Sequence, residues 1–175
     1  MMQRIEIAQP GYLPTYDECY VCGQFHPRGL RARFFAFLDG QVQVQFSAEP
    51  TQTGYEDIVH GGVISALLDE LLGWPVVLQT GRMCFTAELT VRFLKPMRVG
   101  TRYVATAGPG ADRGRYWGSE GVLRDEGGAL HAKAHGKFFL LSEDQTAAVV
   151  ERMTYQPDDL PVFRAKLALG PLVAT

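Results

Sequence analysis

The chain has 175 residues, 46% of them hydrophobic and 21% charged, with a formal net charge of -2. One domain is the default at this length, and it can bury roughly two thirds of the surface its unfolded chain exposes. The near-neutral balance argues against a dominant nucleic-acid or membrane-surface role, since either normally needs a basic excess on one face. The opening residues, MMQRIEIAQPGYLP, lack a cationic segment followed by an apolar stretch of signal length. No window of about 18 apolar residues is evident. Cys19, Cys22 and Cys84 are an odd set that fits a reduced compartment better than a disulfide framework. The expectation is a cytoplasmic protein whose partner is a small molecule or another protein chain.

Residues 1–30 read as a lead-in with a CxxC loop. Residues 31–38 are aromatic-rich, Asp39 and Gly40 form a strong two-residue hairpin signal, and 41–48 alternate, with Val42, Val44 and Phe46 opposed by Gln41, Gln43 and Gln45. This predicts an antiparallel hairpin with one wet face. After Pro50 and Gly54 the period changes: over 61–79, Val63, Ile64, Ala66, Leu67, Leu68, Leu71 and Leu72 cover most of a helix surface, so that helix is meant for burial. Pro75 is expected to kink or end it, because proline lacks the amide hydrogen and clashes with the preceding turn.

From Met83 the period returns to two. Phe85, Ala87, Leu89, Val91 and Phe93 oppose Thr86, Glu88, Thr90 and Arg92 until Pro96. Strands are predicted at 101–107, 115–124 and 129–141, separated by glycine-rich turns. Ser142 and Gln145 make a capping box for a short helix through about Met153. The last twenty-odd residues, with Pro157, Pro161 and Gly170, have no firm period and are expected to lie across a surface or a neighbouring subunit. The sum is an α+β fold, an antiparallel sheet wrapped around one hydrophobic helix: a main domain at 31–141, the lead-in at 1–30, and a short helix with an extended tail at 142–175.

The segment IVHGGVISALLDELLGW places His60, Gly61, Gly62 and Asp69 on that helix. A carboxylate in a greasy helix is costly unless it has a partner or a task. Glycines at a helix start let a ligand approach free backbone N–H groups and the positive end of the helix, which suits a developing oxyanion. A half-buried carboxylate is suited to act as general base for water or as nucleophile. The plainer alternative is that the glycines permit tight packing and Asp69 pairs with an arginine. Nine residues at about 100° each turn the helix through roughly 900°, so His60 and Gly61 lie nearly opposite Asp69. If both act on one carbonyl, a second copy of the helix must supply one of them.

HGGVISALLDE, followed by TAELTVRFLKPMRVG, resembles the hotdog-fold acyl-CoA thioesterases of the phenylacetate-degradation (PaaI) type and the related human thioesterase-superfamily members, over about residues 19–141. The resemblance implies a long helix wrapped by an antiparallel sheet, a homodimer joining two sheets edge to edge or a homotetramer, and hydrolysis of a fatty or aromatic acyl-CoA. It implies no metal or redox cofactor. Asp69 matches the catalytic carboxylate, and Gly61 matches the residue whose N–H polarises the thioester carbonyl from the facing subunit. Thr86 matches a hydroxyl position that in some members orients the water, although a plain strand threonine reads equally well. His60 and Gly62 belong to the motif, with His60 shaping the loop or contacting substrate.

This chain departs from relatives that carry Asn or Gln shortly before HGG as a second clamp on the carbonyl: here Thr53, Gly54, Tyr55, Glu56 and Asp57 stand there. A non-catalytic acyl-CoA-binding hotdog protein is therefore the alternative. Glu70 points about 100° away from Asp69 and is expected in a salt bridge, or as a reserve carboxylate. The hydratase run Asp-x-Asn-Pro-x-His is absent, as is a helix-turn-helix before the domain.

Cys19, Cys22 and His26 have zinc-like spacing, but a fourth ligand is not evident, and a buried loop of reduced cysteines is preferred. Lys95, Arg98 and Arg102 are candidates for the coenzyme A phosphates, with Arg113 and Arg115 a second set; solvated charges at strand ends are the commoner case. Trp74, Trp117, Phe34, Phe35, Phe138 and Phe139 line an acyl tunnel or belong to core and interface.

Overall fold

The computed structural model describes residues 4–163. The lead-in carries two short strands, β1 (Gly11–Tyr12) and β2 (Thr15–Tyr16). The hairpin follows as β3 (Phe34–Ala36) and β4 (Val42–Ser47), with Val42, Val44 and Phe46 buried as alternation requires. β3 is shorter than expected because Arg31 sits at φ 52, in the left-handed region, and the extended run begins only after it. A tight pair, β5 (Thr53–Tyr55) and β6 (Ile58–Val59), delivers the chain to α1 (Gly61–Thr80). Beyond it come β7 (Cys84–Phe93), β8 (Arg102–Ala107), β9 (Ala111–Asp112), β10 (Trp117–Asp125), β11 (Leu130–Leu140), α2 (Glu143–Val150) and β12 (Met153–Thr154).

The main sheet runs β1-β3-β4-β8-β10-β11-β7, antiparallel throughout, with β9 beside β10. It wraps α1, whose Leu67, Leu68, Leu71 and Leu72 are wholly buried. Each such burial contributes roughly 1.5–3 kcal/mol, so packing rather than helix propensity holds α1. Its length and hydropathy alone would let it cross a bilayer. In this fold it is instead the core around which the sheet closes. Helix and sheet touch so closely at Gly121 that a Cβ there would lie 2.9 Å from the Thr106 carbonyl oxygen and 3.1 Å from a Leu72 methyl.

Two expectations need correction. α1 does not end near Pro75 but continues to Thr80, where Gly81 at φ 63 caps it. Proline removes one helical hydrogen bond, that to the Leu71 carbonyl, and the buried side chains on both sides of it offset that loss. α2 has the predicted Ser142/Gln145 capping box but stops at Val150, because Met153 and Thr154 pair with Tyr16 and Thr15 as β12 on β2. The segment after β12 folds back on the same chain. Leu160 donates its N–H to the Tyr12 carbonyl, Phe163 is buried, and Asp159 pairs with Arg33. The rest of the predicted tail lies outside the described residues.

Candidate active site

Asp69 lies half-buried midway along α1, and its Oδ1 accepts a 2.8 Å hydrogen bond from the Thr86 hydroxyl. Strict alternation along β7 would put Thr86 on the face opposite Leu89 and Val91. A β-bulge prevents this: Lys137 pairs with Glu88 while the next residue, Phe138, pairs with Thr86, so Ala87 is the extra residue. The bulge reverses the phase of the strand. Cys84 and Thr86 face α1 before it, Leu89 and Val91 after it, and Phe85 is turned outward, 52% exposed. Burial lifts the Asp69 carboxyl above the usual carboxylate range, and the Thr86 hydrogen bond pulls it partly back.

Asp69 and Thr86 line a largely apolar cavity of about 460 Å³. Trp74, Val77, Met83 and Phe138 form much of the apolar wall, and the lead-in, α2 and β12 contribute Tyr16, Cys22, Val149 and Met153. Of the aromatic residues picked out in the sequence, Trp74 and Phe138 reach this cavity. Phe34 is core, Phe35 opens to another surface depression, and Phe139 is exposed against Phe85.

The start of α1 belongs to a different cavity, bounded by Gly54, His60, Gly61, Phe93 and Lys95. His60 is the N-cap, and its Nδ1 accepts the Gly62 N–H at 2.9 Å. That bond occupies the Gly62 amide, whereas the Gly61 N–H has no hydrogen-bond partner among the described residues. A Cβ on Gly61 would stand 3.4 Å from the Phe93 ring, so this glycine keeps the first turn open. Within one chain the structure does not bring Gly61 and Asp69 together. The three candidate phosphate ligands are also dispersed: Lys95 lines the Gly61 cavity, Arg98 is ion-paired with Asp57 at 2.5 Å, and Arg102 with Glu126 at 3.4 Å. Sequence reasoning missed His131, which is buried and accepts the Leu94 and Lys95 amides at its carbonyl while its ring contacts Asp125 and the Pro96 carbonyl. It fixes the loop facing Gly61.

On the Asp69 cavity the lead-in makes a second polar cluster. Cys19 Sγ accepts the amides of Val21 at 3.3 Å and Cys22 at 3.5 Å, and lies 3.0 Å from Glu70 Oε2. Hydrogen bonding from Cys22, with further help from Glu70 and the two amides, outweighs burial and holds the Cys19 thiol down to about 5. Burial first, then the charge on Cys19, pushes the Glu70 carboxyl well above the carboxylate range. Contrary to expectation, Glu70 makes no salt bridge among the described residues; its neighbour is a thiol brought in by the lead-in. His26 is not part of the cluster, since its ring packs against Tyr20 and its Nδ1 accepts the Arg28 amide.

Residues 56–111, which contain Gly61, Asp69 and Thr86, match the family model described as thioesterase superfamily. A solved thioesterase superfamily protein superposes with a TM-score of 0.64 at 24% identity, over 71% of this chain and 61% of that one. The present chain thus spans less than two thirds of that relative. The E. coli PaaI protein from the phenylacetic acid degradation operon gives a TM-score of 0.59 at 19% identity, over 65% and 81% of the two chains. The architecture is the hotdog fold. A third hotdog structure, a Streptococcus mutans protein bound to acetyl CoA, gives 0.56 at 22% identity, over 62% of this chain and 87% of that one. A search of the curated proteins returned no match.

Proposed function

We propose that this hotdog chain hydrolyses the thioester of an acyl-CoA, with Asp69 as general base. The observation that carries the reading is the Asp69–Thr86 pair on the wall of an apolar cavity. A carboxyl lifted by burial has more basicity than one in water, and Thr86 holds it in a single orientation. Asp69 takes a proton from water, whose oxygen attacks the thioester carbonyl; the tetrahedral oxyanion collapses, the C–S bond breaks, and the departing thiolate takes the proton back from Asp69 and leaves as coenzyme A thiol. The free N–H of Gly61, at the positive end of α1, is the donor suited to the oxyanion. Since Gly61 and Asp69 lie on separate cavities, we infer that the working unit is at least a dimer, with Gly61 of one copy facing Asp69 of the other. The outer edge of β7, unpaired among the described residues, and the exposed Phe85 and Phe139 favour such a partner. Lys95, beside Gly61, is then suited to a coenzyme A phosphate. The acetyl CoA in the Streptococcus mutans structure supports this choice of substrate class.

Asp69→Asn tests the proposal over a panel of short, long and aromatic acyl-CoAs. General base catalysis supplies about 10²–10⁴-fold, so hydrolysis should fall by that factor while the fold and assembly persist. Activity within a few-fold of wild type refutes it. One observation favours the non-catalytic alternative. Gln52, the nearest amide side chain before HGG, folds back onto the Glu49 N–H and offers no clamp to a ligand. Tight acyl-CoA binding without turnover by the wild-type chain is the result that would establish that reading.

A further inference from the structure

The thiols of Cys19 and Cys22 and the carboxylate of Glu70 converge from two elements distant in sequence, with ligand atoms all within 4.8 Å of one another. Three features mark this as more than a chance meeting of side chains. Cys19 and Cys22 lie in a tight loop whose backbone amides from Val21 and Cys22 point at Cys19 Sγ, while the Tyr16 amide points at Cys22 Sγ at 3.4 Å. The two amides aimed at Cys19 Sγ favour a thiolate there, the form in which cysteine binds a metal, whereas Cys22 Sγ also faces the Tyr16 carbonyl at 4.0 Å and gives up its proton when an ion binds.

The loop is also fixed in shape. Gly23 donates its N–H to the Cys19 carbonyl at 2.9 Å, and a Cβ at that position would lie 2.3 Å from the Asp17 carbonyl oxygen. Only glycine closes this turn. Finally, Glu70 reaches the loop from the core helix, and among the described residues no Lys or Arg is paired to it to offset the three acidic groups.

We infer that Cys19, Cys22 and Glu70 form a binding site for a zinc-class divalent metal ion. Two thiolates select a soft or borderline ion, and a carboxylate completes a donor set that zinc accepts. Zinc bonds of about 2.3 Å to sulfur and 2.0–2.2 Å to oxygen set tetrahedral ligand atoms roughly 3.5–3.8 Å apart. The observed spacing reaches that with a small inward movement of side chains. Three protein ligands leave one tetrahedral position, and because all three residues line the Asp69 cavity, that position is open to water or to a ligand within it. His26 is not required. The ion ties the lead-in to the middle of α1, and this holds whether or not the cavity hydrolyses thioesters.

The test uses the full chain, reduced and stripped of metal, titrated with Co²⁺ and then Zn²⁺. The expected result is one Co²⁺ per chain, with a sulfur-to-cobalt charge-transfer band and the strong visible bands of a tetrahedral ion, all lost when Zn²⁺ displaces it. Cys19→Ser and Cys22→Ser should abolish the charge-transfer signal or halve it, and Glu70→Gln should weaken affinity by at least about tenfold. The isosteric variants are first matched to wild type by circular dichroism. Wild-type protein that binds no stoichiometric Co²⁺ after reduction overturns the proposal, as does one that simply re-forms a Cys19–Cys22 disulfide and excludes metal. Binding unchanged by Glu70→Gln overturns the ligand set. Thioester hydrolysis enters none of these readouts.

Discussion

Thr86→Val removes one hydroxyl from the cavity and almost nothing else, since the two side chains have nearly the same shape. In the wild type that hydroxyl donates a 2.8 Å hydrogen bond to Asp69, a carboxylate already penalised by burial. A hydrogen bond to a charged group contributes about 1.5–3 kcal/mol, and the half-exposed position of Asp69 argues for the lower end. At about 1.4 kcal/mol per decade, kcat/KM near neutral pH should fall by roughly tenfold. The sign of the pH effect follows from the same bond. Thr86 stabilises the ionised form, so its loss raises the Asp69 carboxyl further, and a base must be ionised to act. The acid limb of the rate profile, already above the ordinary carboxylate range in the wild type, should move to higher pH in the valine variant. Thiol release from an acyl-CoA followed between pH 4 and 9 measures both quantities, and Thr86→Ser should restore most of the loss. A limb that stays where it was, or moves to lower pH, refutes the role given to this pair.

Leu68→Ala opens a cavity in a wholly buried stretch of α1. It should cost about 2–5 kcal/mol, seen in thermal melts as a fall in Tm of roughly 5–20 °C at about 2–4 °C per kcal/mol. Arg33→Met strands the buried Asp159 carboxylate and should cost about 3–5 kcal/mol at neutral pH. Burial already raises the Asp159 carboxyl. The penalty applies only to its ionised form, so the gap in Tm between variant and wild type should shrink as pH falls through the raised value.

Backbone periodicity made most of the architecture legible. The alternation of Val42, Val44 and Phe46 and the change to a helical repeat after Gly61 each follow from geometry the chain carries locally, and both elements stand where those patterns put them. The inward face of β7 was not legible. Counting by twos assigns Thr86 to the face of Glu88 and Thr90, and the bulge that reverses this arises where β7 meets β11, at Phe138. The helical repeat over 61–79 stands where α1 does, and the helix runs on through Pro75 because the penalty attached to proline is local, whereas the contacts that outweigh it come from the whole sheet. Asp69 stood out as a carboxylate on an apolar helix, but Glu70 and Cys19 lie 51 residues apart and meet only through the lead-in. No window of sequence contains both.

The two walls of the Asp69 cavity differ in thermodynamic depth. Asp69, Trp74 and Val77 stand on the helix at the centre of the core, where amide exchange is expected to need the largest unfolding. Tyr16, Cys19 and Met153 stand on segments held by a two-residue strand pair, a few backbone hydrogen bonds, the Cys19–Glu70 and Arg33–Asp159 contacts and a small set of buried side chains such as Leu13 and Val21. Such a wall is expected to open more readily than the helix. The cavity thus has one side on the core helix and one on segments of lower local stability, and amide exchange rates on the two should differ by orders of magnitude.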